Sequence, residues 1–441
     1  ARPIACALEW TSGTDSMIWP WSRRGEAYSL SVSGRTGDTV TSVSLAMPLS
    51  PRVRAIVGRL LSNRPIVFHN AMADTMWLHA LSLDPALAAD TMLLAYLLDE
   101  TQRLNLESIA VGYGGVDGGW KGHLYYRRPA ASDEWNELLT YNANDTYATL
   151  RGFEGIARTL KRLPLERREA VTRLHRHLLL PAIPVLMRAA YVGVPLDEQR
   201  LNDETRRSRE RQDAAAEELS NAIGLPPARA MRLATSPKQT LEYLRSLGIE
   251  LPSSRKDELT IVEEASPVVR MILRIRKEQK LLSTYFEPWT RMLERQGDGR
   301  LHTIYRPTGT RTGRLSAESE EGGSLQVAPR DTEDVAFRSL VRAPLGRVII
   351  SADFATVEMR IAAWLANEPT MLRFFREGID LHRATAAYLV ACGERGHVVP
   401  IGEFMAELDA WIAAVSKEQR QSAKGGNFGL VYGMQEDTLR D

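Results

Sequence analysis

The chain has 441 residues, room for about three domains at roughly 150 residues each, and its 56 Lys plus Arg against 55 Asp plus Glu leave a formal charge of +1. At 44% hydrophobic and 25% charged it has ordinary globular composition, and two cysteines, Cys6 and Cys392, exclude a disulfide framework or a four-cysteine zinc site. No apolar run approaches the roughly 18 residues that span a bilayer, and no charged-then-apolar export signal opens the sequence, so a reducing, cytoplasmic setting is expected. A total near zero still leaves room for local basic grooves.

The first 160 residues predict strands at Pro3–Trp10, Ser29–Ser33, Thr41–Ala46 and Pro65–His69, rich in β-branched and aromatic residues. Helical spacing of apolar residues follows at Thr75–Ser82, Asp90–Leu98 and Glu134–Ala157, which together suggest a mixed sheet with helices. Gly112–Gly122 holds six glycines and reads as a loop. From about Leu163 to Gln296 the pattern is almost all helix: Glu166–Leu180, punctuated by Pro181 and Pro184, then the charged Glu198–Ile223. Ser236 before Pro237 reads as an N-cap opening a helix towards Leu247. Ser266–Gln296 carries Arg270, Arg274, Arg276, Lys277 and Lys280, a run that alone is consistent with a solvated face. Strands return at Leu301–Arg306 and Arg347–Asp353, with a polar segment, Thr308–Pro329, between them. From Val357 the chain is mostly helical, interrupted near Gly393–Pro400.

Three stretches carry chemistry. In Arg347–Arg360 (RVIISADFATVEMR) an apolar strand ends at Asp353, where a carboxylate is fixed yet open to a metal; the plain alternative is a helix cap. In RQSAKGGNFGLVYGM, Arg420, Lys424, Phe428 and Tyr432 recur every four residues, which on a helix makes one face of two cations and two rings. That face suits a nucleotide, triphosphate on the cations and base or sugar on the rings. Gly425, Gly426, Gly429 and Gly433 weaken a helix by about 1 kcal/mol each, which keeps a glycine-rich loop as the alternative. The third stretch, TGTRTGRLSAESEEGGSLQVAPR, offers Thr, Ser, Gln and Arg donors for phosphates and base edges, or is a surface loop.

Taken together these stretches resemble the family A, DNA polymerase I-like DNA polymerases. TRTGRLS with LQVAP resembles the family's primer–template-binding segment, DFATVEMR its motif A, EGIDLHRATA the continuation, and RQSAKGGNFGLVYG motif B on the fingers helix. SPKQTLEYLRSLGI and KEQKLLSTY resemble thumb segments, and VGVPLD (Val192–Asp197) the start of the polymerase region. Upstream, HNAMAD (His69–Asp74) and YNAND (Tyr141–Asp145) resemble the second and third motifs of the 3′–5′ proofreading domain, which has an RNase H-like fold; DTMLLAYLLDE reads as structural.

The resemblance implies an α/β exonuclease-type domain over 1–160, a connector over 161–200, and then a right-hand polymerase. Its helical thumb would span 201–300, a partial palm 301–365 and partial fingers 366–441. It implies template-directed DNA synthesis on two magnesium ions, manganese being a substitute, with Asp353 as metal ligand and Arg420 and Lys424 holding the triphosphate. Phe428 would lie beside the sugar, Tyr432 beside the template–primer stack, and Glu358 would be the gate against a ribose 2′-hydroxyl. His382 would approach the triphosphate. Thr312 would contact DNA, Arg314, Gln326 and Arg360 would contact DNA or stand directly behind residues that do, and Lys277 and Lys280 would meet the duplex phosphates. Primer–template DNA and deoxynucleoside triphosphates are the implied partners, in a bacterial or phage-infected cytoplasm, with replication accessory proteins beside them.

Departures matter too. In the exonuclease-type site Glu9, Asp74, Tyr141 and Asp145 are in place for metal chemistry, but the first-strand motif reads Ala7-Leu8-Glu9, so the acid that would contact both metals is missing. Two dications about 4 Å apart need bridging carboxylates, so negligible exonuclease activity is expected. Ser324 and Val327 stand where the family has other residues, and an insert around Gly393–Glu407 is of the kind seen in phage-type members. Motif C is expected beyond Asp441, so the implied polymerase needs a further segment or a second chain to complete its palm. The alternatives are a non-catalytic primer–template-binding or assembly subunit and, disfavoured by Ala7, a stand-alone nuclease.

Overall fold

The computed structural model describes residues 2–10, 19–21, 25–120, 128–264, 266–318, 324–329, 331 and 335–435. Residues 319–323 and Arg330 of the polar third stretch lie outside them. The chain forms two compact units, 1–348 and 349–441.

The first unit opens on a five-stranded sheet of β1 (Ile4–Trp10), β2 (Ala27–Thr36), β3 (Thr39–Ala46), β4 (Ile66–Phe68) and β5 (Leu87–Asp90), in the order β3-β2-β1-β4-β5. The pairs β1/β2 and β2/β3 are antiparallel, while β1/β4 and β4/β5 are parallel. Helices α1 (Pro51–Asn63), α2 (Ala71–Ala80), α3 (Thr91–Leu98), α4 (Leu106–Ile109) and the long α5 (Ser132–Arg162) accompany it. Strand β2 alternates serine with leucine and valine, yet both faces are covered. Leu30 enters the core with Leu61, Phe68 and Met76, while Ser29, Ser31 and Ser33 face α5. Those hydroxyls are satisfied there: Ser31 and Ser33 by Thr146 at 2.9 and 2.8 Å, Ser29 by Asn142 Nδ2 at 2.7 Å.

The glycine-rich stretch is only in part the expected loop, since Ala110–Gly114 winds into a π turn packed on α5. The contact is so close that a Cβ at Gly155 would fall 1.8 Å from the Tyr113 carbonyl oxygen. Pro181 and Pro184 do not end a helix either. After α6 (Leu165–Leu174) and a π turn at His175–Leu179, α7 (Leu180–Val192) runs through both. Pro181 sits in the first turn, where no N–H is needed. Pro184 is carried by burial of its neighbours Ile183 and Ala190 in the core.

The helical region comprises α8 (Glu198–Ile223), α9 (Pro227–Thr235), α10 (Pro237–Ser246), α11 (Lys256–Ile261), α12 (Pro267–Leu281) and, after a π turn at Leu282–Phe286, α13 (Glu287–Gln296). Asp197 caps α8 by accepting from the Arg200 N–H, and Ser236 caps α10 by accepting from Gln239 N–H, as the Ser-Pro pair predicts. Val269, Ile272 and Ile275 of α12 pack with Leu219, Leu233 and Leu244. The expected strand Leu301–Arg306 divides at the buried pair His302 and Thr303. Arg300–Leu301 (β7) pairs with Val194–Pro195 (β6), and Ile304–Arg306 (β8) forms a hairpin with Ser316–Glu318 (β9).

Arg347–Asp353 is not a strand. It runs irregularly, with Val348 81% and Ile350 86% exposed, because an apolar run becomes a strand only beside another that completes its ladder. The second unit is all helix: α14 (Val357–Ala366), α15 (Pro369–Glu377), α16 (Leu381–Arg395), α17 (Ile401–Ala406), α18 (Leu408–Ala414) and α19 (Lys417–Val431). Its core gathers Met359, Phe374, Leu381, Ala387, Phe404 and Ala423. The segment 393–407 is ordered by Arg395, which pairs with Glu403 and Glu407 and lies 5.7 Å from the Trp411 ring. No helix among the described residues is long and apolar enough to cross a membrane.

Candidate functional site

In the first unit, Ala7, Glu9 and Trp10 at the end of β1, His69, Asn70 and Asp74 at the start of α2, and Tyr141 and Asp145 on α5 line one cleft of about 750 Å³. The fold thus brings together the four exonuclease-type residues found in sequence, with the Ala7 methyl among them. Asp74 is 6% exposed and accepts the Leu8 N–H at 2.9 Å. Burial raises its pKa to about 8, and the charges of Asp90 and Asp145 add to that rise against the Leu8 bond. Asp90 uses its carboxylate structurally, accepting from the N–H groups of Ala71, Met92 and Leu93 to tie α2 to α3.

The Asp145 Oδ1 accepts the Trp120 indole N–H at 2.7 Å. Trp120 was not singled out in sequence; its only signal is an aromatic residue closing a glycine-rich stretch. Ala7 thus contributes no acid to the cleft, Asp74 is held by burial towards its protonated form, and Asp145 is engaged by an indole. Among the described residues no group of three His, Cys, Asp or Glu is arranged to hold a metal.

The wall of the cleft is completed by Arg306, Thr308 and Gly309, at the start of the polar segment. Thr312 and Arg314 are exposed on the turn that follows, and Gln326 is exposed with its Nε2 donating to the Leu315 carbonyl at 2.9 Å. On α12, Lys277 and Lys280 are exposed. Arg276 departs from the run of cations expected on that helix. It turns inward, donating to the Ala234 carbonyl at 2.6 Å, to Thr240 Oγ1 at 2.8 Å and to the Ser254 carbonyl.

In the second unit, α19 is a helix despite Gly425, Gly426 and Gly429, so Arg420, Lys424 and Phe428 do share a face; Tyr432 is its exposed C-cap. Opposite stands α16. Its N-cap Asp380 accepts from Arg420 Nε and Nη2 at 2.8 and 2.7 Å, and His382 lies 5.6 Å from the Phe428 ring. His382 is 1% exposed; its Nδ1 meets Asn427 Nδ2 at 3.1 Å, and its Nε2 has no partner among the described residues. Burial lowers the His382 pKa, and the charges of Arg420 and Lys424 act with it against Asp380. Burial pushes Asp380 up, but the Arg420 bonds outweigh it and hold the carboxylate below its ordinary range. Lys424 Nζ is 5.9 Å from the Phe428 centroid.

Asp353 is exposed in the irregular segment before α14 and does not cap that helix, whose N-cap is Thr356. Glu358, in the first turn of α14, is half-buried. Arg360 donates to the Ala355 carbonyl and lies 4.6 Å from the Phe375 ring. Among the described residues Asp353 belongs to no group of three His, Cys, Asp or Glu arranged to hold a metal.

Comparison with known proteins adds the family. The profile for DNA polymerase family A matches residues 201–398, and that for 3′–5′ exonuclease matches residues 5–161. DNA polymerase I of Pseudomonas aeruginosa is 29% identical over 365 residues, covering 79% of this chain and 36% of the relative. DNA polymerase I of Aquifex aeolicus is 27% identical over 397 residues, covering 85% and 62%. The chain thus spans between about a third and three-fifths of the length of these two relatives. A solved structure, the POL domain of Pol1 from M. smegmatis in complex with DNA primer-template and dNTP, superposes with a TM-score of 0.75 at 22% identity, covering 99% of this chain and 69% of that one.

Proposed function

This chain belongs to DNA polymerase family A, and we propose that it serves template-directed DNA synthesis, the transfer of deoxynucleotides to a primer 3′-hydroxyl. The observation that carries this reading is the shared face of α19, Arg420, Lys424 and Phe428, closed by His382 on α16. A triphosphate entering there exchanges the Asp380 carboxylate on Arg420 for phosphate oxygens, while Lys424 adds a second positive charge against the leaving pyrophosphate. The His382 ring lies beside Phe428, and its buried Nε2, without a partner among the described residues, offers a further polar contact. Phe428 packs beside the sugar, Tyr432 beside the template–primer stack, and Glu358 acts as the gate against ribonucleotides.

Thr312, Arg314 and Gln326 would contact the duplex and Lys277 and Lys280 its phosphates, as cations on an exposed helix face do. Magnesium is the proposed ion, with Asp353 its ligand in this chain. The division of the chain into exonuclease-type residues 1–160, connector 161–200, thumb 201–300, palm 301–365 and fingers 366–441 belongs to the same proposal. The exonuclease-type cleft, with Ala7 in its first strand and no acid to bridge two cations, hydrolyses DNA negligibly.

Equilibrium binding of a labelled deoxynucleoside triphosphate tests the reading. Arg420→Ala and Lys424→Ala should each weaken binding about tenfold or more, the loss of a charge-assisted phosphate contact. Binding unchanged in both variants would overturn the assignment of this face.

A further inference from the structure

We propose that Tyr96 is a positioning residue for primer–template contact, holding the Thr310–Arg314 turn in place from the exonuclease-type part of the chain. The proposal rests on the reading of Thr312 and Arg314 as duplex contacts.

The polar segment has few apolar anchors, so hydrogen bonds must hold it. Tyr96 on α3 is buried, and its hydroxyl donates to the Thr310 carbonyl at 2.8 Å across 214 residues of sequence. Thr310 Oγ1 in turn donates to the Arg314 carbonyl at 2.8 Å and closes the turn that presents Thr312 and Arg314. Just before it, Gly309 is pressed against the returning strand, where a Cβ would fall 1.7 Å from Ser316 Oγ. A turn closed this tightly transmits a restraint at Thr310 to Arg314 rather than absorbing it. On the other side a second buried tyrosine, Tyr285 of the thumb region, donates to the Val327 carbonyl at 2.6 Å. The segment is thus held by one phenol from each neighbouring region.

Phenylalanine at position 96 would keep the ring packing and lose only the bond to Thr310. Because Arg306, Thr308 and Gly309 of the same loop also wall the cleft, the Tyr96 bond sets the DNA-contact turn in register with that cleft.

The experiment measures primer–template affinity of the full 441-residue chain by fluorescence anisotropy over a series of salt concentrations, for Tyr96→Phe, Arg314→Ala and the double variant. Arg314→Ala should weaken binding about tenfold and flatten the salt dependence by about one counterion. Tyr96→Phe should weaken it about fivefold, the worth of one buried hydrogen bond. The double variant should bind better than the product of the two single losses, since Tyr96 acts through the turn that carries Arg314. Thr310→Val, which opens the turn from its exposed side without touching the core, should reproduce Tyr96→Phe. If Arg314→Ala weakens binding but Tyr96→Phe and Thr310→Val do not, the positioning role is wrong and the duplex-contact reading stands. Additive losses would place the Tyr96 effect elsewhere and refute it equally. No effect of Arg314→Ala would remove the duplex-contact reading and the proposal with it.

Discussion

Replacing Asp74 with asparagine keeps an oxygen to accept the Leu8 N–H and removes the titrating proton, so it isolates what burial does to this carboxyl. The native pKa is about 8, against about 3.9 for an exposed aspartate. Between those values the folded state holds a proton that the unfolded state has released, so stability falls as pH rises through that window. From about pH 5 to about pH 7.5 the loss is about 3 kcal/mol. The stability of Asp74→Asn relative to the parent should therefore rise by about that amount over the same range, whatever its starting level. Urea unfolding followed by tryptophan fluorescence reads it, because Trp10, Trp19, Trp21, Trp77, Trp120 and Trp135 all precede residue 160 and only three of the nine tryptophans follow. A difference that stays flat with pH would show that Asp74 ionises in its ordinary range, and the burial argument would fail. Asp74→Ala is the control: it also removes the proton but leaves Leu8 N–H without an acceptor, lowering stability by a further 1–3 kcal/mol or about that.

Other changes separate structural from functional assignments. Gly155→Ala places a methyl against the Tyr113 carbonyl and should cost about 3 kcal/mol in the same unfolding experiment; a neutral result would mean the π turn moves freely away from α5. Arg276→Met should lower thermal stability by about 3 kcal/mol, through carbonyls left without a donor. A loss of DNA affinity without that destabilisation would return Arg276 to the duplex-facing set. Glu358→Ala should raise ribonucleotide binding relative to deoxynucleotide binding about tenfold, and an unchanged ratio would remove it as the gate.

The cation-and-ring face of α19 was legible in sequence because a four-residue spacing has one meaning on a helix, and the capping box at Ser416 and Gln419 starts that helix despite its glycines. The residues of the exonuclease-type motifs were legible as short strings with fixed internal spacing. Other features were not, because they depend on partners far away in sequence. Ser29, Ser31 and Ser33 are buried because α5, more than 100 residues away, covers them, and Arg276 reads as one more surface cation until acceptors from α9, α10 and the loop before α11 surround it. Val348–Ile350 has strand composition, but composition cannot supply the neighbouring strand that a ladder requires.

What the amino-acid sequence determined by itself was local: the N-cap at Ser236, the helical periods, the motif strings, and Ala7 where an acid was expected. Only the tertiary structure decided what each charged group does. A carboxyl's pKa and an arginine's role depend on burial and on which donors and acceptors the fold places within 3 Å or so. Asp74 is neutral because β1, α2 and α5 enclose it, Arg420 is paired because α16 presents Asp380, and Tyr96 reaches Thr310 across 214 residues because the fold brings α3 against the hairpin.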